Sequence, residues 1–385
     1  MKLTTNQIID YKNITLFPGL NSLRFMAAFF VLMQHGERIK AKNGIENFEW
    51  LGLFQNGGHA VTFFFVLSGF LITYLLLKER HTTGNIQVKK FYLKRILRIW
   101  PLYFLLVFIG TIALPLIFPL LNVQYEMPYT LGQSWYYFVF FLPGLVTFFY
   151  GHHFLEPLWS IGSEEVFYLI WAPIFKLFKN KLFSLLIGII ALKVALSALG
   201  LFVIPNALFN YLLGIFKFEA MAVGGLGAYL IYTKGSTLNK LTIFKIPYQL
   251  IIFSILCVFL LFHSNIDNTY WNLAFKTPII SPLLIDCLFL YLILCVSMID
   301  HSIIKLRHKF FSFLGEISYG IYMYHMLVIF ATIHFLKDYF LHLNIWPNVF
   351  LFYLITGSFT ILIASLSKIY FENYFLNLKK KLENK

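Results

Sequence analysis

The sequence predicts an all-α polytopic membrane protein, a bundle of about ten transmembrane helices with one re-entrant or surface helix on the outer side. Of its 385 residues, 59% are hydrophobic and only 12% are charged, whereas an average soluble domain carries about 25% charged residues. The apolar residues form repeated blocks of roughly 20, the length of a helix that spans a bilayer. A single soluble globular domain is therefore excluded.

The elements follow from the apolar blocks along the chain. Eleven blocks are candidate helices, at 20–36, 59–77, 100–121, 134–150, 163–178, 182–204, 209–232, 246–263, 279–299, 310–335 and 348–372. Eleven crossings from a cytoplasmic N-terminus would leave every later basic cluster outside, against the positive-inside rule. If 134–150 stays at the outer surface, 22 of the 31 Lys and Arg residues fall inside and five outside. We therefore expect ten crossings of the cell's inner (plasma) membrane, with both termini cytoplasmic.

The chain reads as one membrane domain over residues 1–385. Residues 1–19 are the expected cytoplasmic N-terminal tail and residues 373–385 a basic cytoplasmic C-terminal tail. The largely polar residues 1–16 argue against a cleavable signal peptide. No linker, low-complexity tract or clear repeat marks a second domain, so we expect no appended soluble domain.

The formal charge of +14 arises from short basic clusters between the apolar blocks. Such clusters are orientation signals, so membrane lipid is the expected environment and no nucleic-acid partner is expected. Cys257, Cys287 and Cys295 lie in apolar stretches without metal-ligand spacing. They are expected to be packing residues, and no metal is expected.

Charged and histidine side chains inside the apolar blocks are site candidates, because the bilayer tolerates them only beside a cavity or a partner. They are Arg24, His35, Glu164, Glu165, Lys193, Lys217, Glu219, Asp286, His325 and Glu372. Arg24 and His35 share one face of the first helix, about 16 Å apart along its axis. We expect Arg24 in the inner half and His35 at the outer end. Alone, Arg24 could equally snorkel inward and His35 could sit at the interface.

Two further pairs of charged residues suggest chemistry. Arg95 and Arg98 are three residues apart on one helix face, where they could clamp phosphates; contact with anionic lipid explains them equally well. Glu164 begins a span at the predicted level of His35, so the two could form a base and its orienter. For Glu165 a helix N-terminal acid is preferred.

The remaining candidates stay open. Lys217 and Glu219 cannot share a helix face, and structural ion pairing with other helices is favoured for both. His325 lies among tyrosines, so a structural role is as well supported as a functional one. The outer aromatic residues could stack on sugar rings, although an interfacial belt explains them at least as well.

Taken together, these residues resemble the acyltransferase-3 family, integral membrane enzymes that O-acylate glycans and other extracytoplasmic acceptors. The resemblance covers nearly the whole chain. Its landmarks are, in order, Leu20–Arg24 with His35; Phe63–Ile72, which includes Ser68; Arg95 and Arg98 leading to Pro101 and Tyr103; Leu158–Ser160 with Glu164, Glu165, Phe167 and Tyr168; and Ser318–His325.

The resemblance implies an acyl-coenzyme A donor, most simply acetyl-coenzyme A, on the cytoplasmic side. The acceptor would be a hydroxyl of a glycan or lipid-linked glycan at the outer face. His35 would be the general base, with Glu164 holding its tautomer and Arg24 positioning the donor. The expected donor-binding residues are Arg24, Arg95, Arg98, Tyr103 and Ser68. A covalent acyl-His35 intermediate is the mechanistic variant, and a homo-oligomer stays open.

Two rival functions remain at this stage. Intramembrane Arg, His and Glu residues also serve secondary transporters, here of a glycan, lipid or acyl anion. No convincing pair of inverted halves is found in the sequence. The third reading is a noncatalytic scaffold for polysaccharide assembly.

Overall fold

A computed structural model describes residues 11–123, 125–178, 181–299 and 301–383. The described residues are helical and contain no β-strand. The helices are α1 (Leu20–Lys42), α2 (Gly57–Thr83), α3 (Val88–Phe108), α4 (Leu114–Ile117), α5 (Leu131–Val139), α6 (Pro143–Tyr150), α7 (Leu158–Leu177), α8 (Leu182–Phe202), α9 (Ala207–Ile215), α10 (Phe218–Leu238), α11 (Ile246–Phe262), α12 (Thr269–Phe275), α13 (Ile280–Met298), α14 (Lys309–Glu316), α15 (Ser318–Leu341), α16 (Ile345–Ser367) and α17 (Asn373–Glu383). Lys2, Lys179 and Lys385, which entered the charge count above, lie outside the described residues.

Seven helical segments of the described chain are long and apolar enough to cross a membrane. They are Gly57–Thr83, Val88–Leu121, Leu182–Phe202, Ala207–Leu238, Ile280–Met298, Ser318–Leu341 and Ile345–Lys381. A multi-pass membrane protein follows, while the count of ten crossings stays a prediction. The other three predicted crossings coincide with α1, α7 and α11. Helices α1 and α7 are more polar than the seven, and α11 has only 17 residues.

The segment predicted to lie at the outer surface is broken into two short helices. Helix α5 has nine residues and α6 has eight. Phe141, between them, has a left-handed backbone with φ of 56°. A spanning helix needs about 20 residues, so neither helix crosses the bilayer alone, in agreement with the expectation for 134–150.

Helix α2 is the centre of the bundle and packs against α1, α7, α10 and α13. It approaches α10 most closely at two glycines. A Cβ atom on Gly69 would overlap the Met221 carbonyl, and one on Gly224 would overlap the Val66 carbonyl. Small residues at helix crossings let two backbones approach closely in a membrane, and here they draw α10 against the central helix.

The basic residues before Pro101 belong to the same helix as Pro101 itself. Helix α2 ends at Gly84, whose φ of 74° lets its N–H bond to the Arg80 carbonyl, a turn that favours glycine. Helix α3 then begins at Val88 and continues through Pro101 to Phe108. Arg95 and Arg98 are therefore held on the same rigid helix that enters the membrane.

Buried charges brace the break between α9 and α10. Lys193 donates to the carbonyls of Leu213 (2.5 Å) and Phe216 (2.9 Å), which the break leaves without helical partners. The same ammonium lies 3.2 Å from Glu219, and Lys217 donates to the Thr62 hydroxyl at 2.7 Å. Lys217 and Glu219 thus take their partners from other helices, as structural residues would.

Candidate active site

A cavity of about 510 Å³ lies inside the bundle, bordered by α1, α2, α3, α7, α14 and α15. Its volume is in the range of small-molecule binding sites. The charged residues on its wall are Arg24, Arg95, Arg98, Lys368, Glu164, Glu316 and Glu372. Lys368 and Glu372 lie 3.9 Å apart on a π-helical turn between α16 and α17. The three arginines, by contrast, make no ion pair with any described residue, so the cavity offers guanidinium groups to an anion.

Arg95 is the most constrained of these arginines. Its guanidinium lies over the rings of Phe91 and Tyr168, at 5.6 and 5.7 Å, an arrangement that fixes its plane. The Arg95 Nε atom is buried without a hydrogen-bond partner. Arg24 donates to the Asn21 side chain at 3.2 Å and faces the same cavity. The predicted grouping of Arg24, Arg95 and Arg98 is therefore present in space.

A hydrogen-bonded chain crosses the cavity wall beside Arg95. The Tyr168 hydroxyl donates to Glu164 at 2.7 Å and also contacts the Ser68 hydroxyl closely. All three residues border the cavity. Ser68 thus lies where a donor-binding residue was expected.

Glu164 does not contact His35, which corrects the predicted pair. Helix α7 begins at Leu158 rather than at residue 163, so Glu164 lies about 9 Å into the helix. It faces the arginines of the cavity instead of the outer end of α1. Glu165 is likewise inside the helix, where it accepts from the Trp100 indole at 2.8 Å, and not an N-terminal acid.

Tyr103 also departs from the prediction, because it does not border the cavity. Its hydroxyl donates to the Phe138 carbonyl at 3.0 Å, and its ring stacks on Phe141 at 4.6 Å. Five residues separate Tyr103 from Arg98, which turns the two side chains about 140° apart around α3. Tyr103 supports the broken α5–α6 segment rather than the donor.

His35 has a partner that the sequence left open. Its Nδ1 atom lies 2.9 Å from Nε2 of His325 on α15, and the two rings meet edge to edge, with centroids 5.0 Å apart and planes 23° from parallel. His325 is fully buried and His35 half-buried. Helices α1 and α15 pack side by side, which brings together two histidines 290 residues apart. The tyrosine-rich run before His325 was the only signal of this pairing in the sequence.

Tyr322 separates the cavity from the two histidines. Its side chain borders the cavity, and its ring centroid lies 5.7 Å from that of His325. The Tyr322 hydroxyl is bonded to the Ser160 hydroxyl (2.8 Å) and the Pro157 carbonyl (2.9 Å). Tyr322 thus contacts both the arginine-lined cavity and the imidazole pair.

Comparisons with known proteins identify the family of the chain. Residues 17–368 match the acyltransferase-3 family model, described as an acyltransferase domain. The chain is 26% identical to a peptidoglycan O-acetyltransferase, OatA, of Listeria monocytogenes, over 99% of this chain and 60% of the relative. It is 28% identical to a "putative O-acetyltransferase" of Staphylococcus aureus (strain COL), over 96% of this chain and 59% of the relative.

A third relative, a "putative peptidoglycan O-acetyltransferase" of Bacillus subtilis, is 34% identical over 41% of this chain and 23% of the relative. No solved structure matches. The chain spans about three fifths of the length of the first two relatives. Because the family model extends from before α1 to the end of α16, the chain belongs to the acyltransferase-3 family.

Proposed function

We propose that this chain is a membrane O-acyltransferase that transfers an acetyl group from acetyl-coenzyme A to a hydroxyl of a glycan. The observation that carries the proposal is the cavity with three arginines that form no ion pair with a described residue, bordered by Tyr322 beside the paired imidazoles. Transfer of an acyl group requires that the donor, at the arginines, and the acceptor hydroxyl, at the imidazoles, come close to each other. The names of the relatives support O-acetylation as the reaction.

The donor half of the reaction needs cations for the phosphates of coenzyme A. Guanidinium groups bind phosphate through paired hydrogen bonds, and Arg95 has a fixed plane and a free Nε atom to offer. Arg24 and Arg98 line the same cavity. The narrow pantetheine arm would extend from these arginines towards Ser160 and Tyr322, which places the thioester at the end nearest the histidines.

The chemical step needs a base at the acceptor hydroxyl. His35 takes the hydroxyl proton as the oxygen attacks the thioester carbonyl, so that a C–O bond forms and the C–S bond breaks. Coenzyme A leaves as a thiolate, which regains a proton from the His35 imidazolium. Arg24, deeper on the same helix, would position the donor arm and screen negative charge. The step consumes no cofactor besides the donor.

The proposed acceptor is a glycan of the cell envelope at the outer face, either assembled or lipid-linked. The relative from Listeria is named for peptidoglycan, and His35 lies towards the end of α1 predicted to be outer. The proposed location is the plasma membrane, with both termini cytoplasmic so that coenzyme A reaches the arginines from inside.

The test uses the purified full chain in lipid nanodiscs, with isotope-labelled acetyl-coenzyme A and soluble peptidoglycan strands. We expect acetyl ester on the glycan with wild type and none with His35→Ala. Acetyl-pantetheine, which lacks the nucleotide phosphates, should be a much poorer donor. Absence of thermal stabilisation by millimolar acetyl-coenzyme A would contradict the proposal, and substrate transport that persists in His35→Ala would favour a transporter.

A further inference from the structure

The ring of His325 is fixed by a backbone carbonyl. Its Nδ1 atom lies 2.5 Å from the carbonyl oxygen of Tyr322. A carbonyl oxygen can only accept a hydrogen bond, so Nδ1 must carry the proton. His325 is fully buried and contacts no carboxylate among the described residues, and an unpaired buried imidazolium would be costly. The ring is therefore neutral, and its Nε2 atom is an acceptor.

This assignment decides the state of His35. The Nε2 atom of His325 lies 2.9 Å from Nδ1 of His35. Two bare nitrogens at this distance would repel each other, so the His35 Nδ1 atom carries a hydrogen and donates it. A neutral His35 then has its lone pair on Nε2, the ring nitrogen that faces away from His325.

We infer that His325 is a positioning residue that selects the tautomer of His35 and makes Nε2 of His35 the atom that takes the acceptor's proton. The inference rests on the proposed function and supplies the partner that Glu164 was expected to be. As Nε2 gains the hydroxyl proton, the new imidazolium keeps its Nδ1–H bond to His325. The backbone carbonyl of Tyr322 is the fixed end of this series of hydrogen bonds, which runs through His325 to His35.

These hydrogen bonds also hold the His35 ring in one orientation, in addition to selecting its tautomer. Two hydrogen bonds hold the pair of imidazoles, whose planes lie within 23° of each other, as an in-plane N–H···N bond requires. His35 and His325 belong to α1 and α15, two long helices in contact. Without the acceptor on His325, the His35 ring could turn and present a protonated nitrogen to the hydroxyl.

Two substitutions separate this role from simple packing. His325→Gln keeps a side-chain oxygen that can accept from His35, whereas His325→Leu keeps bulk and removes the acceptor. With acetyl-coenzyme A and soluble peptidoglycan strands, we expect kcat of His325→Leu to fall about 10²- to 10⁴-fold, the usual contribution of a general base. The KM for acetyl-coenzyme A should not change. His325→Gln should recover most of this loss.

His334→Leu is the control on the same helix, because His334 is exposed and bonded to neither histidine. It should leave kcat and KM unchanged. A His325→Leu enzyme with wild-type kcat would overturn the inference, as would a His325→Gln enzyme as poor as His325→Leu with equal thermal stability. In either case wild type would still transfer acetyl, so the proposed function would stand.

A second readout does not depend on activity. In protein labelled with ¹⁵N-histidine, the His35 signals are identified by their absence from His35→Asn. We expect a protonated Nδ1 and a bare Nε2, and loss of this single tautomer in His325→Leu. The opposite tautomer in wild type would refute the inference even if no acceptor had been found.

Discussion

Among the cavity arginines, Arg95 has the side-chain geometry that best suits the proposed phosphate ligand. Phe91 and Tyr168 fix the plane of its guanidinium, and its Nε atom has no hydrogen-bond partner among the described residues. A planar fork binds phosphate through two parallel bonds, which the point charge of lysine cannot do. The shape of the group therefore matters here as well as its charge.

Arg95→Lys tests this requirement, because it keeps the charge and removes the fork. We expect the KM for acetyl-coenzyme A to rise about tenfold, equivalent to about 1.4 kcal/mol, with little change in kcat. Steady-state kinetics on the purified chain measure both values. Arg307→Lys, at an exposed arginine that does not border the cavity, is the matched control. Equal effects of the two substitutions would contradict the prediction.

The sequence identified the charged and histidine residues within the apolar segments, but not all of their partners in space. Arg24, Arg95, Arg98 and Ser68 were expected together and do border one cavity. Glu164 does not lie against His35 and Tyr103 does not border the cavity, because each placement depends on where a helix starts or which way it faces. The partner of His35 depends on the packing of α1 against α15, which no local pattern encodes.

At the scale of helices, the polar site residues make the helices on which they lie harder to recognise as membrane spans. Helices α1 and α7 have 23 and 20 residues, long enough to cross a bilayer. Their charged residues lower the apolar character that identifies a spanning helix, so neither is among the seven apolar spans. The polar residues of α1 and α7 therefore account both for the proposed chemistry and for the uncertain number of crossings.

The close crossing of α2 and α10 depends on residues without a side chain. Gly69→Ala would place a methyl group on the Met221 carbonyl and force the two helices apart. We expect a loss of about 1–3 kcal/mol, typical of overpacking, seen as a lower thermal unfolding temperature in detergent. Gly188→Ala on α8 meets no atom within 4 Å and should not lower that temperature. A Gly69→Ala protein as stable as wild type would show that this crossing is not tight.

Helix α15 contributes both a histidine to the pair and the tyrosine that closes the cavity. Tyr322→Phe keeps the ring but removes the hydroxyl that bonds to Ser160 and Pro157. The ring would then be freer to move, and water could reach the thioester. We expect release of coenzyme A from acetyl-coenzyme A without glycan to rise several-fold, measured with a thiol reagent.

Tyr324→Phe is the control for this prediction. It removes a comparable hydrogen bond, to Ser367 at 3.0 Å, at a side chain that does not border the cavity. It should leave the background release of coenzyme A unchanged. Wild-type release from Tyr322→Phe would mean that the tyrosine hydroxyl does not keep the cavity closed.

For the whole molecule, the proposed reaction requires that one helix, α1, carries both Arg24 and His35. Arg24 and His35 lie on α1 about 16 Å apart. The depth of Arg24 in the membrane therefore determines the depth of His35. Helix α2 and its neighbours wall the cavity between these levels. In the proposed reaction a thin donor arm inside the protein would cover this distance, about half of the roughly 30 Å hydrocarbon core of a bilayer.

This arrangement is productive only if the arginines face the cytoplasm, where coenzyme A is found, and the orientation can be measured. In a variant with Cys257, Cys287 and Cys295 replaced by alanine, single cysteines are introduced as Lys42→Cys and Lys89→Cys, both at exposed positions. We expect a membrane-impermeant maleimide to label Lys42→Cys in intact cells. Lys89→Cys, close to Arg95, should react only after permeabilisation, because basic loops stay inside.

The opposite labelling pattern would place the arginine cavity on the outer side, away from coenzyme A. The acyl-coenzyme A donor would then be untenable, even though the fold and the histidine pair would be unchanged. Labelling of both sites in intact cells would instead indicate that the stretch between α1 and α3 does not cross the membrane. The experiment thus tests the orientation of the whole bundle separately from its chemistry.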